Sequence, residues 1–132
     1  MKFLIDNREV KPRFFLKKAI ANLTYEEYCK LVETGYVCYH GKYIERHFEI
    51  RYSGGYRPYI IAYKDGDKLV SVNDYTYYAE NEQKAIETFL DEEDFGSTKE
   101  IYAINICSVS REYFMSRKYN PKKKKENENR AN

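Results

Sequence analysis

The sequence predicts an α+β fold: an N-terminal helical pair, an antiparallel sheet of four to five strands, and an acidic helix packed on that sheet. Three observations carry the prediction. Apolar residues recur at helical spacing from residue 12 to 34 and again from 80 to 92. Between residues 36 and 73 the period drops to two, interrupted by glycine turns. The composition is that of a globular chain: 132 residues, 42% apolar and 33% charged, enough for one modest core. Residues 1–119 read as a single domain. Residues 120–132, rich in Lys and Asn, read as a disordered tail.

The elements follow in order. Lys2 to Asp6 is a short strand that stops at Asn7. Pro12 can open a helix, because the first helical position needs no N–H. Phe15, Leu16, Ala19 and Ile20 then share one face, and Asn22 is a plausible stop. Thr24 and Glu27 form a capping-box pattern, in which each side chain satisfies the other's backbone donor. The second helix runs to about Thr34, with Tyr28, Leu31 and Val32 inside, and Gly35 suits a left-handed cap. Tyr36 to Tyr39 is a strand that turns at His40-Gly41. Residues 43–52 alternate, with Phe48, Ile50 and Tyr52 on one side and His47, Glu49 and Arg51 on the other. Ser53-Gly54-Gly55 is read as a hairpin turn into a strand at Tyr56–Lys64. Pro58 argues that this strand begins at an edge or outside the ladder. Asp65-Gly66 is a hairpin signal, and residues 68–73 return. Residues 80–92 form an acidic helix with Ala85, Ile86, Phe89 and Leu90 as its apolar stripe. Ile101 to Val109 is almost continuously apolar and reads as a central strand covered on both faces. Arg111 to Lys118 fits either a last helix or an edge strand.

Composition excludes several classes. No apolar run approaches the ~20 residues of a membrane helix, and the opening apolar run, broken at Asp6, is too short for a signal peptide. The expectation is a cytoplasmic protein without a membrane partner. Three scattered cysteines, Cys29, Cys38 and Cys107, suit reduced thiols better than a disulfide framework. The net charge of +2 conceals asymmetry. Residues 80–94 hold seven acids and one Lys, whereas residues 120–132 hold five basic and two acidic residues.

Chemistry-bearing groups are few. Cys38, His40 and His47, with Cys29 upstream, are residue types that ligate zinc or build a thiol–imidazole nucleophile. Their spacing matches no metal pattern, and ordinary surface histidines beside a packed cysteine explain the same residues. No metal ligand, cofactor or catalytic residue is therefore assigned, and a small Cys/His enzyme is the least favoured reading. Ser53-Gly54-Gly55 lacks the Gly-Lys-Ser/Thr ending of a phosphate loop. It is flanked by Arg51 and Arg57, which could meet phosphate, and by Tyr52, Tyr56 and Tyr59, which could stack on bases or anchor a protein contact. Lys122–Lys125 could add non-specific affinity for nucleic acid, or simply solubilise the tail. Asp91, Glu92, Glu93 and Asp94 do not have calcium-loop spacing. They are either a solvated helix face or a mimic of nucleic-acid charge that enters a basic channel.

Fifteen tyrosines and no tryptophan complete the picture, and ten of the tyrosines lie between Tyr36 and Tyr78. Amphipathic rings at a surface are contact residues. With the acidic stretch from Glu80 to Asp94, they make the chain resemble the small accessory proteins of phages and mobile elements of low-GC bacteria, anti-CRISPR proteins among them. That resemblance implies a stoichiometric inhibitor that binds a Cas effector and blocks DNA access or cleavage. The leading expectation is a non-enzymatic inhibitor whose partner is a protein. The alternative is a nucleic-acid-binding module using the Tyr/Arg turn and the basic tail.

Overall fold

A computed structural model describes residues 1–93 and 100–118. The α+β class holds, and the strands are antiparallel. They divide, however, between two sheets.

The first sheet has the order β2-β1-β4-β3. Strand β1 is Lys2–Ile5, β2 is Arg8–Val10, β3 is Tyr36–His40 and β4 is Glu45–Arg51. The β1–β2 hairpin was not foreseen. It turns on Asp6 and Asn7, both at positive φ (51° and 66°), a conformation these two side chains tolerate better than most. The helical pair lies where expected: α1 is Pro12–Asn22 and α2 is Tyr25–Thr34. The capping box is complete, with Glu27 N–H donating to Thr24 Oγ1 at 3.1 Å and Thr24 N–H to Glu27 Oε1 at 2.9 Å. Gly35 ends α2 at φ 84°, and a Cβ there would sit 3.0 Å from the Ile50 carbonyl, so glycine is required.

The second sheet is built on β5 (Arg57–Asp65), with β6 (Lys68–Ser71), β7 (Tyr77–Ala79) and β8 (Ile101–Asn105). Tyr59 pairs with both Tyr77 and Asn105, and Ala62 with both Ser71 and Tyr102. A residue has one neighbour on each side, so β6 and β7 lie end to end along one edge of β5 and β8 lies along the other. The central strand is thus β5 rather than the Ile-rich segment at 101–109. Among the described residues that segment pairs with β5 alone. It then leaves the ladder at Ile106–Ser108, a 3₁₀ turn capped by the Asn105 side chain. Pro58 is paired on the β7 side only, ahead of the first β8 partner at Tyr59, as suits a residue without an N–H.

Because β5 is central, its two faces feed two clusters. Ile60 joins Phe3, Phe15, Phe48, Tyr28 and Phe114 in the main core. Tyr59 and Ile61 point the other way, toward Tyr77, Ala85, Phe89 and Ala103. The acidic helix α3 (Glu82–Glu92) closes this second cluster. Its apolar stripe is narrower than expected: Ala85 and Phe89 are buried, whereas Leu90 is 48% exposed. The last element, Arg111–Ser116, is a helix, α4, capped by Ser110. No helix among the described residues is long and apolar enough to cross a membrane. The expected tail at 120–132 and the site residue Asp94 lie outside the described residues.

Candidate functional site

The acidic helix and the tyrosines meet on one surface. Asn81 caps α3, accepting from Lys84 N–H at 2.8 Å. Burial of Ala85 and Phe89 turns the acids outward, so Glu82, Glu87, Asp91, Glu92 and Glu93 are all exposed. Strand β7 lies beside the helix and alternates. Tyr77 faces in and meets Phe89 edge-on, with ring centroids 5.7 Å apart. Tyr78 is therefore turned out, 48% exposed, and Tyr75 just before it is 67% exposed. These rings and the end of the helix line a shallow groove of about 410 Å³ that includes Tyr75, Tyr78, Thr88, Glu92 and Glu93. From 80 to 93 the chain carries six acids and one Lys, and Lys84 is spent on Glu87 at 3.4 Å.

The turn that presents Tyr75 is braced by the first helix. Arg13 on α1 donates to the carbonyls of Asn73 (3.0 Å) and Tyr75 (3.2 Å) and to Ser71 Oγ (3.0 Å). Asn73 in turn donates to the Tyr77 hydroxyl at 3.0 Å and accepts from Tyr75 N–H at 3.0 Å. A backbone held this way loses little freedom on binding. Neither Tyr75 nor Tyr78 was singled out from the sequence. The available signal was three tyrosines within four residues directly ahead of an acidic helix.

The Tyr/Arg segment is organised differently from expectation. Ser53–Gly55 joins two sheets rather than two paired strands, since β4 pairs with β1 and β3 and β5 with β6, β7 and β8. Arg57 lies over the Tyr52 ring, 4.9 Å from its centroid, and donates to the carbonyls of Gly54 (3.0 Å) and Tyr56 (2.9 Å). The Tyr52 hydroxyl donates to the Val32 carbonyl at 2.8 Å. Burial, with the Cys107 thiol nearby, pushes this phenol up to about 12, and burial raises Cys107 to about 11. Arg51 is paired with Glu49. Tyr59 is a core residue, 6% exposed, so its ring is not a contact surface. Tyr56, 56% exposed, is the most open ring of the segment. Both arginines therefore have partners within their own segment.

The Cys/His group is drawn together on the outer face of the β3–β4 hairpin. Donor atoms of Cys38, His40 and Glu45 lie within 4.8 Å of one another. Glu45 was not among the residues singled out from the sequence, and Cys29 lies on α2 outside the group. His40 Nδ1 is 3.2 Å from one Glu45 oxygen, and His47 Nε2 is 3.3 Å from the other. Tyr36 Oη is 2.6 Å from His47 Nδ1. Desolvation first, then the Glu45 carboxylate, raise the Cys38 thiol above its usual value. A catalytic nucleophile needs the opposite shift, toward thiolate.

No protein-family model, no curated protein and no solved structure matches this chain.

Proposed function

We propose that the protein is a small non-enzymatic inhibitor, encoded by a phage or mobile element. It binds a host defence nuclease of the Cas-effector kind in the host cytoplasm and keeps nucleic acid from its groove. One observation carries the reading: Tyr75 on a braced turn and Tyr78 on β7 stand exposed beside Glu92 and Glu93. Rigid tyrosines supply the contact area that anchors a protein interface. The surrounding carboxylates complement a basic surface and steer the encounter. A groove built to hold a phosphate backbone presents such a surface.

The Tyr52–Arg57 segment supports the alternative, a nucleic-acid module, less well. Arg57 contacts backbone carbonyls of its own turn through Nη1, and the Glu49 carboxylate beside Arg51 offsets that charge, which weakens the pull of the segment on phosphate. Tyr56 fits better as a further contact for the protein partner.

The test replaces Asp91, Glu92, Glu93 and Asp94 with Ser and measures inhibition of a co-resident nuclease. Inhibition should fall at least about tenfold, since each 1.4 kcal/mol lost is a factor of ten. Undiminished inhibition would remove the charge-mimic role. A gel-shift series against salt tests the alternative: binding of DNA or RNA by the protein alone would restore it.

A further inference from the structure

The β3–β4 hairpin carries a second cluster, on residues that the binding face does not use. Residues directly opposite in an antiparallel pair project to the same side, with Cβ atoms roughly 4.5–5.5 Å apart. Cys38 is opposite His47, and His40 is opposite Glu45. The period of two puts all four on one face. That face is the solvent side of the hairpin, because Val37 and Phe48 fill the core side. Pairing therefore sets a thiol, two imidazoles and a carboxylate at the corners of a small rectangle. The turn that closes it is tied by Gly41 N–H donating to the Ile44 carbonyl at 2.8 Å.

We propose that Cys38, His40 and Glu45 bind a divalent transition-metal ion, with zinc the ion their chemistry fits best. The donor set is one thiolate sulfur, one imidazole nitrogen and one carboxylate oxygen, which zinc accepts together. Magnesium and calcium prefer oxygen alone. Zinc bond lengths in a tetrahedron place donors roughly 3.3–3.7 Å apart. His40 and Glu45 already stand at 3.2 Å, and no pair among the three exceeds 4.8 Å. Small rotations of half-exposed and exposed side chains close the remaining gap. His47 is a positioning residue: its Nε2 meets the second Glu45 oxygen while Tyr36 fixes its Nδ1. This is the outer contact that aims a ligating carboxylate. Three protein donors leave the fourth position to water or to a donor from another molecule.

Cobalt(II) is the probe, because a cobalt–thiolate bond gives a charge-transfer absorption that oxygen and nitrogen donors do not. Reduced full-length protein is titrated with cobalt alone and then with zinc. The expected result is a charge-transfer band saturating at one equivalent and displaced by zinc. Cys38→Ser should abolish the band, and Cys29→Ser should leave it. His40→Ala and Glu45→Gln should each weaken binding more than about tenfold, and His47→Ala should weaken it by roughly 10–100-fold while keeping the band. A measurement on the wild-type chain guards against misfolded variants: zinc should slow alkylation of Cys38 and not that of Cys29. Absence of the band, a band that survives Cys38→Ser, or equal alkylation of Cys38 with and without zinc would each overturn the proposal.

Discussion

Arg13 donates to the backbone carbonyl of Tyr75 at 3.2 Å, joining the first helix to the turn that presents the most exposed ring of the binding face. The same guanidinium holds Asn73 and Ser71, so one side chain satisfies three acceptors across about sixty residues of chain. Arg13→Ala should therefore act at a distance from the partner. It should cost roughly 1.5–3 kcal/mol of stability, the range for hydrogen bonds to a charged group. It should also weaken partner binding several-fold by loosening the turn. Hydrogen exchange of residues 73–76 reads the loosening directly. Unchanged protection there would show that Asn73 alone sets the turn.

Tyr28 makes the corresponding connection inside the core. Its hydroxyl donates to the carbonyl of Ile106, tying α2 to the 3₁₀ turn after β8. The ring is 2% exposed, and burial keeps the phenol neutral by raising it far above its usual value. Tyr28→Phe should cost about 1–3 kcal/mol, because the Ile106 carbonyl is left unpaired in an apolar site. Tyr28→Ala should cost more, about 3–5 kcal/mol, since a cavity is added. Urea denaturation with an unchanged slope measures both.

Alkaline pH should destabilise the fold partly through Cys107. Burial raises its thiol from 9.0 to about 11, with the Arg57 charge opposing in part. The unfolded chain therefore releases this proton first as pH rises. The contribution is complete below about pH 9 and is lost as pH climbs through about 11, a loss of roughly 3 kcal/mol at full titration. Cys107→Ala should show a shallower fall in urea midpoint between about pH 8 and about pH 11. An equal fall would assign the loss to the tyrosines instead.

Local signals in the sequence were good guides and long-range ones were not. Pro12, the Thr24–Glu27 pair and Gly35 bound the two helices because each acts within one turn of the chain. Phe48 and Ile50 likewise revealed the inner face of β4. From sequence, 101–109 reads as the central strand in place of β5 because both are long apolar runs. Pairing on two sides, which distinguishes them, depends on partners far away in sequence. Tyr59 reads from sequence as a contact ring for a related reason. A strand covered on both faces has no polar side, so alternation cannot say which rings are out. Glu45 escaped notice because only the β3–β4 register sets it opposite His40. Tyr78 escaped it because the pairing of β7 with Arg57–Tyr59 sets it beside α3, and Tyr75 because the contact from Arg13, far away in sequence, holds its turn.

The most direct test of the binding face is a titration of a co-resident CRISPR effector nuclease with wild-type protein and with the Asp91, Glu92, Glu93, Asp94→Ser variant, reading target-DNA cleavage. Wild-type protein should inhibit near one-to-one stoichiometry, and inhibition should weaken as salt rises. The variant, and separately Tyr75→Ala with Tyr78→Ala, should require at least about tenfold more protein. Wild-type protein that leaves cleavage untouched, or variants that inhibit as well as wild type, would contradict the account.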